Sequence, residues 1–318
     1  MEPLLDFLQL SPLFRRQILF SPRFILNLPR RLAEKMEKNT LNDPIFKQFV
    51  PLIDETEKNA HYLLDPVQDQ SFQKTKKLLQ KYNGRALFVT TSACAMHCRF
   101  CFRQNYPYET ESDHFEKELS YLAQDATIEE VILSGGDPLS LSDDKLLHLL
   151  TAFNQIDSIK RIRFHTRFPI GIPERINASF LDVLKSSKKQ ILFAIHVNHA
   201  KELDDEILFA LKQIQHLGIP LLSQSVLLKG VNDEKEALLM LTKTLMNAGI
   251  IPYYLHLLDP VQGAMHFDSN SKGIELIRYI QDNLSGFGVP RLVKEEPGKK
   301  SKMFLPICEN GQNLGIPC

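Results

Sequence analysis

The chain has 318 residues, 43% hydrophobic and 24% charged, with 38 basic and 38 acidic side chains and a formal net charge of zero. That balance gives no electrostatic reason to expect a nucleic-acid partner, and no apolar run approaches the ~20 residues a membrane span requires. Five cysteines, three of them clustered, do not read as a disulfide framework and fit a reducing cytoplasm. Asp6, Arg15 and Arg16 interrupt the apolar N-terminus too soon for a signal peptide.

Residues 1–82 read as a helical N-terminal extension, with amphipathic stretches at 4–8, 29–37 and 71–79 broken by Pro51 and Pro66. From Arg85 the pattern changes to short β-branched or aromatic runs at 86–90, 131–133, 161–165, 191–196, 221–226 and 251–256. Helical patterns alternate with them at 114–124, 143–153, 174–185, 204–217, 234–247 and 272–283. Six β-α units in strict alternation predict an α/β fold, a partial (β/α)6 barrel over residues 83–288, with site residues at the C-terminal ends of its strands. Residues 289–318 read as a short extended tail. The run Leu-Leu-Asp-Pro-Val-Gln occurs at 63–68 and again at 257–262; nothing of similar period flanks either copy, which reads as coincidence and not duplication.

The chemistry follows the first strand, in Cys94-Ala-Met-His-Cys98-Arg-Phe-Cys101. Three thiolates so close together are one ligand short of a closed site, because structural zinc takes four N/S ligands and most cubane clusters take four cysteines. A cluster held by three leaves one iron open to a small molecule. His97 as a fourth ligand would instead make a zinc knuckle, and plain buried cysteines are the third reading; Cys308 and Cys318 lie some two hundred residues away. Ser134-Gly135-Gly136-Asp137 follows the second strand, where glycines let backbone approach a ligand or simply make a turn. Thr166 and Arg167 follow the third. In the tail, Lys302 stands near Lys299 and Lys300. A lysine amine forms a Schiff base with pyridoxal phosphate, and neighbouring cations favour its neutral form; the alternative is a solvated basic loop.

The C-x3-C-x2-C spacing resembles that of the radical SAM enzymes. The resemblance implies a [4Fe-4S] cluster on Cys94, Cys98 and Cys101 that chelates and reductively cleaves S-adenosyl-L-methionine, with Phe100 beside the adenine and Gly135, Gly136 and Asp137 gripping the methionyl amino group. From about Lys81 to Pro306 the chain resembles the lysine 2,3-aminomutase group. The matching stretches are Lys-Tyr-Asn-Gly-Arg85, Cys-Phe-Arg103, Ser-Gly-Gly-Asp137, Gln224-Ser-Val-Leu-Leu-Lys-Gly-Val-Asn-Asp233, Pro-Tyr-Tyr-Leu-His256, Asp259-Pro-Val-Gln-Gly-Ala-Met-His-Phe267 and the loop ending in Lys302. Carried over, Lys302 is the pyridoxal 5'-phosphate lysine, and Arg103 clamps the substrate carboxylate, a task suited to a planar guanidinium. Asp259 and Glu295 receive the ε-ammonium of L-lysine, Arg85 and Tyr82 hold the cofactor phosphate, and His196 and Gln224 contact S-adenosyl-L-methionine. Without the resemblance, Arg103 and Glu295 read as surface charges, Asp259 as the start of an Asp-Pro turn and His196 as a core histidine.

The chain also departs from the group. Glu234 stands where free-lysine aminomutases carry a cysteine that ligates an intersubunit zinc, Glu295 replaces an aspartate, and the cysteine-bearing C-terminal extension is lacking. A zinc-linked oligomer is therefore not expected. The short form resembles the bacterial branch tied to (R)-β-lysylation of elongation factor P, which implies a functional link to that factor and its lysyl ligase, and flavodoxin or ferredoxin as electron donor. Two rival readings remain: a radical aminomutase for another amino acid such as glutamate, and a non-catalytic iron–sulfur or zinc protein.

Overall fold

A computed structural model describes residues 1–109 and 114–305; Cys308 and Cys318 lie outside them. Four short helices come first: α1 (Glu2–Phe7), α2 (Pro12–Arg15), α3 (Arg30–Glu34) and α4 (Pro44–Phe49). A hairpin follows, β1 (Gln73–Thr75) and β2 (Leu78–Tyr82), and leads into β3 (Arg85–Thr91). The alternating part then runs α5 (Glu116–Gln124), β4 (Glu130–Gly135), α6 (Asp143–Asn154), β5 (Arg161–Thr166), α7 (Phe168–Gly171), α8 (Ala178–Lys185), β6 (Gln190–His196) and α9 (Asp205–Gln215). It continues through β7 (Leu221–Val226), α10 (Lys235–Asn247), β8 (Ile251–His256), α11 (Gly273–Asn283), β9 (Arg291–Lys294) and β10 (Met303–Phe304).

All ten strands form one sheet in chain order. Strands β3 to β8 are the six foreseen from the sequence, and each pairs in parallel with the next. The tail is more than extended chain: β9 continues the parallel series beside β8, and β10 turns back antiparallel on β9. Helix starts follow the side chains that cap them. Ser142, Asn177 and Asp204 each accept a hydrogen bond from a backbone N–H of the first turn of α6, α8 and α9. The stretch read as helix from 174 therefore begins at Ala178, after a 3-10 turn at Pro173–Arg175.

Residues 71–79 are the misread element: a 3-10 turn ends at Phe72, and 73–79 form β1 and the start of β2, not an α-helix. Phe72, Thr75 and Leu79 stand at helical spacing, but Leu78 and Leu79 pair with Phe88 and Leu87 of β3, and both are buried. A strand covered on both faces shows no alternation, so short-range periodicity pointed the wrong way. The signal that marks the turn from β2 into β3 is Asn83-Gly84, with Gly84 at φ +74°, the residue pair favoured by two-residue turns.

Period-two alternation divides each strand between two environments. On β5, Ile162 and Phe164 are fully buried in an apolar layer shared with Phe153 of α6, Phe180 of α8 and Leu211 of α9, while Arg163 and His165 line a cavity. Phe164 stacks on Phe193 of β6 at 4.7 Å. Ser134 of β4, His196 of β6, Gln224 of β7 and His256 of β8 face the same cavity, so the sheet curves around it. The N-terminal helices do not stand apart: Leu5, Leu32, Phe46 and Phe49 belong to the same apolar core. Among the described residues no helix is long and apolar enough to cross a membrane.

Candidate active site

One cavity of about 510 Å³ gathers every site residue singled out in the sequence. It reaches beyond the strand ends. The cysteine loop follows the C-terminal end of β3, whereas Arg85 begins that strand, roughly 20 Å away at about 3.3 Å per residue.

The cysteine loop is anchored from the N-terminal segment. Asn27 Nδ2 donates to the Cys94 carbonyl at 3.0 Å, and the His97 amide donates to Asn27 at 2.9 Å. His97 stacks on Phe24 at 4.4 Å and its Nδ1 meets the Ile25 carbonyl at 2.9 Å, and its ring does not line the cavity that Cys94, Cys98 and Cys101 line. Arg99, 1% exposed, donates to Glu55 Oε1 at 2.7 Å and to the Phe24 carbonyl at 2.6 Å. Burial pushes all three thiols up, Cys101 to about 11, so taking up iron must release their protons. Among the described residues no group of three His, Cys, Asp or Glu side chains is drawn together around a single metal ion.

Across the loop, Gly135 and Gly136 bring β4 against it. A Cβ on Gly136 would lie 2.3 Å from the Ala93 carbonyl oxygen, and Gly135 sits at φ +117°, so neither position tolerates a side chain. Asp137 is spent inside the protein: its carboxylate accepts from Thr166 Oγ1 at 2.7 Å and from the amides of Leu139, Arg167 and Phe168 at 2.7–3.0 Å. Burial still pushes it up to about 6. It ties the β4 loop to the end of β5, and the surface offered to a ligand is glycine backbone. Phe100 packs edge-on to His196 at 5.6 Å. Burial, reinforced by Arg167, holds His196 down at about 3. Its Nε2 is 3.2 Å from Asn198 Oδ1, which also accepts the Val226 amide. The ring therefore donates through Nε2 and leaves Nδ1 as an acceptor.

Arg103 is oriented by two residues the sequence did not single out for it. Nε donates to Asp69 Oδ2 at 2.7 Å and Nη1 to Ser134 Oγ at 3.2 Å; among the described residues Nη2 has no such partner. Asp69 is brought over the site by an unforeseen contact. The two hexapeptide copies lie side by side in a parallel bridge, with the Leu63 amide donating to Pro260 O at 2.7 Å and the Gln262 amide to Leu63 O at 3.0 Å.

Elsewhere on the wall, Lys302 Nζ meets Glu295 Oε2 at 2.6 Å. The other oxygen of Glu295 takes Tyr82 Oη at 2.5 Å and Lys81 Nζ at 2.7 Å. Burial would raise Glu295, but these partners outweigh it and hold it at about 2. Asp259 feels Lys302 too, yet burial prevails and pushes it up to about 7. Lys299 and Lys300 are exposed, so of the three tail lysines Lys302 is the one that lines the cavity. Tyr82 serves Glu295 here, with Arg85 over its ring at 4.7 Å.

Residues 88–241 match the Radical SAM superfamily. The fold is similar to that of a radical SAM methyltransferase from Sphaerobacter thermophilus, with a TM-score of 0.50 at 16% identity over 68% of each chain. In sequence, the chain is 39% identical over 288 residues to L-lysine 2,3-aminomutase of Escherichia coli, covering 89% of this chain and 84% of that protein. The Haemophilus influenzae L-lysine 2,3-aminomutase is 37% identical over 293 residues, 91% of this chain and 87% of that protein. The chain belongs to the lysine 2,3-aminomutase family.

The family's cofactors are a [4Fe-4S] cluster, S-adenosyl-L-methionine and pyridoxal phosphate, and the residues present fit them. Three buried polar atoms of the cavity wall have no hydrogen-bond partner among the described residues: Arg163 Nε, His165 Nε2 and Arg167 Nε. Buried groups of this kind are normally satisfied, and a polar ligand in the cavity would satisfy them. Of these three residues the sequence singled out only Arg167. His165 and His256 sit one residue from strand ends or at them, the one hint available; Lys81 opens a stretch that matches the aminomutase group but was given no role, and Asp69 gave no signal.

Proposed function

We propose that this protein is a lysine 2,3-aminomutase that interconverts L-α-lysine and β-lysine. The observation that carries the reading is the surroundings of Lys302 Nζ: an amine sits 2.6 Å from Glu295 Oε2, and Asp259 lines the same cavity. A cavity lined by two carboxylates, one of which already holds a primary ammonium, suits the side chain of lysine, whose charge must be paired once it leaves water. A glutamate enzyme needs cations or neutral donors there, so the rival substrate fits poorly.

When bound, the cluster with S-adenosyl-L-methionine supplies a radical, and pyridoxal phosphate supplies the aldehyde that holds the migrating nitrogen. The chain's own residues bind and orient. Arg103 offers Nη2 to the substrate carboxylate while Asp69 and Ser134 fix the plane of its fork. Asp259 and Glu295 hold the other end of lysine, so the carbons between are fixed against the walls and lose the freedom that would permit side reactions. Asp259 gives up a proton as the ammonium arrives. Lys302 is the residue to carry the cofactor, with Arg85 on its phosphate; Cys94, Cys98 and Cys101 hold the cluster, and glycine backbone, Phe100, His196 and Gln224 hold S-adenosyl-L-methionine. From the segment Leu63 to Asp69, Val67 lines the cavity and Asp69 holds Arg103.

The resemblance to the short bacterial branch supports a cytoplasmic role in which β-lysine passes to the ligase that modifies elongation factor P, with a flavodoxin or ferredoxin as reductant. Loss of the β-lysyl adduct on that factor after deletion of the gene checks this placement. The activity itself is tested by anaerobic reconstitution with iron, sulfide, pyridoxal phosphate and S-adenosyl-L-methionine, followed by reduction. β-Lysine should form from lysine only when all are present; fully loaded protein that leaves lysine unchanged refutes the proposal.

A further inference from the structure

Arg167 is held more tightly than a residue at the end of a strand requires. It is 6% exposed, and its amide donates to Asp137 Oδ2 at 2.7 Å. Its guanidinium lies over Phe49 at 4.7 Å. Nη2 donates to Glu202 Oε2 at 2.6 Å and to Gln48 Oε1 at 2.7 Å. Glu202 and Gln48 are themselves completely buried and joined at 3.0 Å. These contacts fix the rotamer and direct the other terminal nitrogen, Nη1, to 2.9 Å from Cys98 Sγ.

We infer that Arg167 is a positioning residue for the iron–sulfur cluster, whose N–H···S bond to Cys98 raises the cluster's reduction potential. This rests on the reading of Cys94, Cys98 and Cys101 as the cluster ligands. A thiolate keeps negative charge when it binds iron and so remains an acceptor, and hydrogen bonds to cluster sulfurs are among the factors that set the potential. Reduction adds an electron to the cluster, so a cationic donor stabilises the reduced form more than the oxidised form. Glu202 offsets part of the distant field of the guanidinium, but it does so through Nη2; the direct bond from Nη1 remains. Gln48 belongs to α4, so the N-terminal helices contribute to the cluster's redox behaviour through this arginine.

The test uses holoprotein labelled with arginine carrying ¹⁵N at the guanidino nitrogens. Pulsed EPR on the reduced cluster should show a ¹⁵N hyperfine coupling in the native protein that disappears in Arg167→Lys, with about four irons per chain in both. In a redox titration, Arg167→Met should lower the reduced-to-oxidised ratio at fixed potential at least tenfold, which is about 59 mV for one electron. A native four-iron cluster with no ¹⁵N coupling overturns the inference. So does a coupling that survives in Arg167→Lys, or an unchanged midpoint in an iron-replete Arg167→Met. Native protein that binds no iron would instead refute the underlying ligand assignment.

Discussion

Glu295 and Asp259 line the same cavity and ionise differently. Glu295 is surrounded by Lys302, Lys81 and Tyr82 and stays ionised down to about pH 2, whereas burial leaves Asp259 half-protonated near pH 7. Pairing with lysine requires the ionised form, so Asp259 must lose its proton, and capture should weaken as pH falls. The expected pH profile of kcat/KM for lysine has an acid limb that drops about tenfold per pH unit below 7; Asp259→Asn should lack that limb. Lys302 provides a covalent check. Borohydride should fix pyridoxal phosphate on Lys302, and Lys302→Ala should lose the label while keeping its iron; label on Lys299 or Lys300 would contradict the assignment. Replacing any of Cys94, Cys98 or Cys101 with Ala should abolish the four-iron cluster in an iron assay, whereas loss of Cys308 or Cys318 should not. The cysteine cluster stands out by its spacing, whereas Lys302 stands out through the resemblance to the aminomutase group, its lysine-rich loop being a weak signal alone. Asp69 was not legible, because it meets Arg103 across 34 positions of chain, a distance over which periodicity says nothing.

At the scale of elements, the contacts that hold the cysteine loop decide whether it can receive a cluster. Arg99 is buried, with Glu55 as its carboxylate partner. Removing one member of such a pair strands the other, at a cost on the order of 3 kcal/mol. Glu55→Ala should therefore shift the urea midpoint down and reduce iron retention; an unchanged midpoint would show that the pair matters less than its burial suggests. Gly136→Ala tests the opposite wall. Its Cβ would strike the backbone of Ala93 and Ser92, which cannot yield as a flexible side chain does, so the β4 loop and the cysteine loop must part. The expected result is a native far-UV circular dichroism spectrum with loss of S-adenosyl-L-methionine binding in equilibrium dialysis. The β-α elements were readable because strand runs and capped amphipathic helices differ in period. The strands at 73–82 were not, because adjacent Leu78 and Leu79 are both buried and show no alternation, and the informative feature was the Asn83-Gly84 turn that follows.

For the whole molecule, the alternation of strands and helices already implied a curved parallel sheet with a site inside it. Less visible was how the ends of the chain complete that site. Residues 24–55 brace the cysteine loop, Leu63 to Asp69 are brought to the site by pairing with the second hexapeptide copy, and the tail adds β9, β10 and Lys302. These are pairings between remote segments with little local signature of their own. Together they support the central claim that one cavity holds lysine between a guanidinium and two carboxylates. The most direct measurement is kcat/KM for lysine and for norleucine, which lacks the ε-ammonium, in native enzyme and Asp259→Asn with both cofactors bound. Charge-assisted hydrogen bonds contribute about 1.5–3 kcal/mol each, so native enzyme should favour lysine by roughly ten- to over a hundredfold, and the variant should lose most of that preference. Native enzyme that turned over norleucine as readily as lysine would contradict the account.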